Sequence, residues 1–145
     1  MLFKAKRIVC LALSLVLILS LNLSFGISAV AEENVVQPRL QYTNYVSTSF
    51  TEGAGGTLTC LAEAEGYSDL ATKVTIKMEL QKHNMIKWET VTTWTSTFNT
   101  YYGTLSKTKT VTTGGLYRVK ATFTVYSGSA YETITAYSGE DYITP

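Results

Sequence analysis

The chain carries one histidine, His83, and two cysteines, Cys10 and Cys60, so nucleophilic chemistry has few residues to draw on. A Cys–His pair would need Cys60, which sits inside the alternating stretch "GGTLTCLAEAEGY" and points inward, to meet His83 at a strand end. A Ser–His–Asp arrangement would also need His83, and no serine stands in a nucleophile-like turn. His83 itself opens "HNM", a hairpin connection, and is expected to be solvated. Carboxylates offer little more. Glu63, Glu65 and Asp69 gather near one turn and Glu140–Asp141 near the C-terminus. General acid–base work needs a carboxylate held in an apolar cleft, and these fall on wet phases or loops. Calcium-loop spacing is absent, zinc has too few ligands, and no Gly-rich loop opens a helix. The chain therefore reads as non-catalytic, with no metal, no cofactor and no disulfide expected.

What remains is aromatic. Trp88 and Trp94 lie six residues apart on one expected strand, which places them on one face. Tyr101 and Tyr102 follow in the next strand, and Tyr126, Tyr131 and Tyr137 lie near the last hairpin. Aromatic side chains offer large contact area at low entropy cost, so such a face can stack sugar rings or meet a protein. Trp88, Trp94, Tyr101 and Tyr102 are the candidate ligand-binding residues. The competing reading is that either tryptophan belongs to the core.

The elements that would position these residues are strands. All ten tyrosines follow residue 31, threonine is abundant, and proline occurs only at Pro38 and Pro145. Thr, Tyr and Val favour pleated, half-buried strands. "TLTCLAEAE" alternates with Leu58, Cys60, Ala62 and Ala64 on one face. "KVTIKMELQK" is the cleanest strand, with Val74, Ile76, Met78 and Leu80 inward. In "KWETVTTWTST", Trp88, Thr90, Thr92 and Trp94 share a face, and in "TYYGTLSKTKTV" the phase is expected to break near Gly103. "GLYRVKATFTVY" turns Tyr117, Val119, Ala121, Phe123 and Val125 inward. With "RLQYTNYVSTSF" first and "AYETITAY" last, the chain predicts about seven antiparallel strands in a two-sheet sandwich.

Residues 1–31 read differently. Lys4, Lys6 and Arg7 precede a long apolar run, and small residues end it at Ala29-Val30-Ala31. That is the pattern of an export signal cut after Ala31. Residues 32–38 form an expected flexible leader, and 39–145 the β-sandwich domain. Beyond the signal, 9 basic and 11 acidic residues leave a net charge of −2. Such a balance has no electrostatic footprint for nucleic acid or for an anionic membrane. No stable membrane insertion is expected after cleavage.

Two resemblances add to this reading. The stretch around Cys60 resembles the second strand of an immunoglobulin-like domain, and "TTGGLYRVKA" resembles its sixth, with Gly115, Tyr117 and Val119 at the Gly-x-Tyr-x-Cys positions. The resemblance implies a tyrosine-corner contact for Tyr117. Val119 stands where the second cysteine would be, and Met78 or Leu80 stands where the third strand would carry tryptophan. The stretches "TCLAEAEGYSDLATKVTIKMELQK", "WETVTTW" and "YRVKATFTVYSG" also resemble an uncharacterised family of small secreted proteins of Gram-positive, clostridial-type bacteria. The expectation is a secreted immunoglobulin- or fibronectin-like binding module, released or held non-covalently at the cell envelope. Its partner is an extracellular polysaccharide or protein. The alternative is a structural protein that assembles into homo-oligomers through Thr- and Tyr-rich strands.

Overall fold

Alternation of apolar and hydroxyl side chains resolves into eight antiparallel strands in the computed structural model, which describes residues 40–145. The expected export signal (1–31) and leader (32–38) lie outside the described residues. The strands are β1 (Thr43–Glu52), β2 (Thr57–Gly66), β3 (Lys73–His83), β4 (Trp88–Phe98), β5 (Tyr102–Thr110), β6 (Gly115–Ser127), β7 (Ala130–Tyr137) and β8 (Asp141–Ile143). One sheet has the order β1-β2-β5. The other has the order β4-β3-β6-β7, with β8 also paired to β6. The protein is an all-β, immunoglobulin-like sandwich whose fourth strand is bonded to the third.

The eighth strand is the second half of the seventh. β7 pairs with residues 120–127 of β6 and β8 with residues 115–117 of the same strand. Between them Ser138 keeps the ladder closed. Its N–H donates to the Val119 carbonyl at 2.9 Å, and its hydroxyl accepts from the Val119 N–H at 2.8 Å.

The core lies between the sheets. Leu58, Cys60, Ala62 and Ala64 from β2 are buried against Val74, Ile76, Met78 and Leu80 of β3 and Tyr117, Val119, Ala121, Phe123 and Val125 of β6. Small side chains at Cys60, Ala62 and Ala64 leave volume for Met78 and Phe123 from the facing sheet, as close packing demands. Cys60 is a free thiol with no solvent exposure. Burial pushes its pKa up to about 11, which makes it an inert apolar group and a poor nucleophile. The Tyr117 hydroxyl donates to the Thr113 carbonyl at 2.7 Å, the corner contact that its place before Val119 implied.

Two expectations about phase are corrected. Trp88 and Trp94 do not share a face. The pairing of β3 with β4 jumps from Leu80–Thr92 to Gln81–Thr90, so Val91 is an extra residue, a β-bulge that inverts the alternation. Trp94 turns inward opposite Met78, whereas Trp88 turns outward opposite His83. Nor does the phase of β5 break at Gly103, since Gly103 and Leu105 are both buried and the pairing with β2 runs uninterrupted. Glycine is there for space: a Cβ would lie 2.3 Å from Phe98 Cδ2.

Candidate functional site

The two faces left uncovered by the core differ in chemistry. On the outer face of the β4-β3-β6-β7 sheet, register places Thr97, Thr75, Thr124 and Thr133 in one rank across four strands. The hydroxyls of Thr75 and Thr97 lie 3.0 Å apart, and those of Thr124 and Thr133 lie 3.4 Å apart. Further along, Thr95, Thr122 and Thr135 share a rank with Lys77. The carboxylate of Glu79 sits between Lys77 at 3.4 Å and Lys120 at 3.5 Å, so its charge is matched on the face itself.

Aromatic–cation clusters stand at both ends of this grid. At one end the Arg118 guanidinium lies 4.0 Å from the ring centroid of Trp88 and 4.5 Å from that of Tyr137. Its Nε donates to Gln81 Oε1 at 3.0 Å, and its Nη1 is 3.8 Å from Glu140 Oε1. His83 packs on Trp88 with centroids 5.1 Å apart and rings tilted by 59°. His83 is thus the half-buried last residue of β3, correcting its expected place in a solvated turn; the turn is Asn84–Lys87. At the other end Lys73 Nζ lies 3.8 Å from the Tyr126 centroid, and Tyr126 meets Tyr131 at 5.7 Å.

An exposed row of the face belongs to β7, where Tyr131, Thr133, Thr135 and Tyr137 alternate outward. Tyr131 is 64% exposed and Tyr137 52%. They stand six positions apart along the strand, roughly 20 Å. The row presents two exposed phenol rings, Tyr137 also meeting Arg118 and Tyr131 also meeting Tyr126, with donor–acceptor hydroxyls between them.

The four aromatic residues singled out from the sequence do not come together. Trp88 lies on the outer face and is half-buried, with Arg118 over its ring and His83 packed against it. Trp94 packs against the core from the inner side. Tyr101 ends the crossing from β4 to the other sheet and Tyr102 opens β5, with their ring centroids 5.3 Å apart. There Tyr102 shares a rank with Glu65 and Tyr45, beside an open depression of about 400 Å³. Sequence reasoning missed Arg118 as a site residue and placed Tyr131 and Tyr137 only near a hairpin. Their signal was the outward alternation of "AYETITAY".

Cys60 and His83 cannot cooperate as drawn, because Cys60 faces the core from β2 and His83 packs on the outer face of the opposite sheet. Among the described residues no three His, Cys, Asp or Glu side chains gather as a metal-holding group. One carboxylate has a marked environment. Glu132 on β7 accepts the backbone N–H groups of Gln41, Tyr42 and Thr43 at 2.9, 2.9 and 2.5 Å, tying the entry to β1 onto the edge of the other sheet. Partial burial pushes its pKa up, and the hydrogen bonds from Thr43, Gln41 and Tyr42 outweigh that, leaving it below the usual glutamate value.

Comparison with known proteins returns no matching family model and no curated protein of significant similarity. Two solved structures are similar at low identity. Wild-type OgpA from Akkermansia muciniphila is 11% identical with a TM-score of 0.41, over 75% of this chain and 33% of that one. The CARDB domain of the PF1109 protein from Pyrococcus furiosus, solved with di-metal ions, is 12% identical with a TM-score of 0.39, over 74% and 97%. The chain spans about a third of the length of OgpA. Both likenesses are distant, and neither carries an argument about activity.

Proposed function

We propose that this protein is an exported, non-catalytic binding module whose ligand is a polysaccharide chain lying along the outer face of β7 and β6. The observation that carries the reading is the exposed row Tyr131-Thr133-Thr135-Tyr137, two rings with hydroxyls between them. A sugar polymer offers the matching surface, because its C–H faces stack on aromatic rings and its hydroxyls pair with hydroxyls that both donate and accept. The face is a sheet rather than a cleft, which suits an extended polymer better than a small molecule, since small ligands prefer concave pockets. Arg118 pairs with Glu140, and Glu79 with both Lys77 and Lys120, so the face keeps a small excess of positive charge.

Export is supported by the signal pattern of residues 1–31 and by the resemblance to small secreted proteins of Gram-positive bacteria. A protein ligand on the same face is the second reading, favoured by the tyrosine-rich character of that row. Depletion of the protein from solution by insoluble polysaccharides and bacterial cell walls tests the proposal. Depletion that disappears on replacing Tyr131 and Tyr137 supports it, and loss to none of these materials refutes it.

A further inference from the structure

We propose that the outer edge of β4 is a homotypic pairing edge, through which two copies of this chain join their five-stranded sheets in antiparallel register centred on Thr95. An unpaired edge is a template for another strand, and proteins blunt such edges with charges placed on the inward-facing row. Each of the four long outermost strands carries a charge on that row, and they differ in where it falls. The row of β1 that faces the core ends in Glu52, that of β5 carries Lys107 and Lys109, and that of β7 carries Glu132. The corresponding row of β4 opens with Glu89 opposite Lys82, and past the bulge it continues as Thr92, Trp94, Ser96 and Phe98 with no charge. No ionisable residue occurs from Thr90 to Phe98. The bulge at Val91 disturbs only the start of the strand, so residues 92–98 remain a regular, unpaired run among the described residues.

The occupant follows from self-complementarity. A two-fold axis at Thr95 sets Thr93 opposite Thr97 of the second copy and Thr95 opposite its own counterpart, all on the outer face. These are the same Thr–Thr contacts that already join β3 to β4 and β6 to β7. On the inner side the register sets Trp94 opposite Ser96 and Phe98 opposite Thr92, large against small in both directions. Shifting the axis to Trp94 sets the two tryptophans against each other and loses that fit. Pairing at Thr95 makes one continuous ten-stranded sheet, with the threonine grids of both copies side by side. Growth stops at the dimer, because a two-fold contact consumes the same edge on both partners.

Sedimentation velocity on the purified protein over a wide concentration range tests this, with Thr95→Lys and Thr133→Lys beside the parent. Both variants add a lysine to the same exposed face, but only Thr95→Lys sets two like charges opposite each other across the axis. A concentration-dependent dimer is expected, weakened about tenfold or more by Thr95→Lys and left intact by Thr133→Lys. Thr95→Cys gives an independent reading. Opposed residues of an antiparallel pair lie roughly 4.5–5.5 Å apart at Cα, within disulfide reach, so mild oxidation should yield a covalent dimer. Thr133→Cys should not. A monomer at every concentration with no Thr95→Cys cross-link overturns the proposal, and so does a dimer that Thr95→Lys leaves unchanged.

Discussion

The guanidinium of Arg118 is stacked 4.0 Å from the ring centroid of Trp88, although the two residues lie on strands that are not neighbours in the sheet. β3 runs between them, and Gln81 on that strand holds the Arg118 Nε at 3.0 Å. The result is a cross-strand tie over β4, β3, β6 and β7, since Tyr137 closes the other side at 4.5 Å. Such contacts contribute about 0.5–1 kcal/mol each when exposed and about 2 when desolvated.

Replacing Arg118 by alanine is expected to lower unfolding stability by about 1–3 kcal/mol, because packing and hydrogen bonding are lost with the charge. Arg118→Lys keeps the charge but cannot lie flat between two rings while bonding Gln81, and should recover less than half of the loss. Urea denaturation followed by tryptophan fluorescence reads both. A lysine variant as stable as the parent would remove the stacking argument.

Glu132 makes stability depend on acid. Its folded pKa is depressed, so its contribution is present above the unfolded value of about 4.3 and is lost as pH falls through the lower folded value. Below roughly pH 4 the urea midpoint of the parent should fall, and Glu132→Gln should flatten that part of the profile. At neutral pH Glu132→Ala should cost about 1.5–3 kcal/mol, the scale of hydrogen bonds to a charged group. Parallel profiles for parent and Glu132→Gln would show that the clamp on residues 41–43 does not form as described.

Cys60 is expected to resist alkylation in the native state and to react only on unfolding, since the thiol has no exposure and a pKa near 11. Cys60→Ser places a more polar group at the same point in the core and should cost about 1–3 kcal/mol. Rapid native-state labelling at this residue would contradict its burial.

At Gly103 the relevant quantity is distance. A Cβ there would fall 2.3 Å from Phe98 Cδ2, so Gly103→Ala must displace a ring that packs on the core. The expected loss is about 1–3 kcal/mol by thermal or urea unfolding, as for other overpacked sites. A neutral Gly103→Ala would mean that the β4–β5 crossing is looser than the packing of Phe98 implies.

Much of the fold was legible because burial follows period two wherever a strand lies between neighbours. Val74, Ile76, Met78 and Leu80, and the row from Tyr117 to Val125, alternate in sequence and are buried in the structure. The site was less legible. The bulge at Val91 leaves no mark in composition, yet one extra residue sends Trp88 and Trp94 to opposite faces. Arg118 meets Trp88 and Tyr137 only through strand register, which local alternation cannot supply. Tyr101 and Tyr102 lie past a crossing between sheets, so adjacency in sequence to β4 did not keep them on its face.

The outer face of β7 is the centre of this account, and depletion from solution by insoluble polysaccharides tests it most directly. The parent protein would be compared with Tyr131→Ala, Tyr137→Ala and with Tyr45→Ala, Tyr102→Ala on the opposite sheet, each checked for native fold by circular dichroism. The account predicts that at least one polymer removes the parent and the Tyr45/Tyr102 variant, and leaves the Tyr131/Tyr137 variant in solution. Equal depletion of the parent and the Tyr131/Tyr137 variant, or depletion of none of the three, would contradict it.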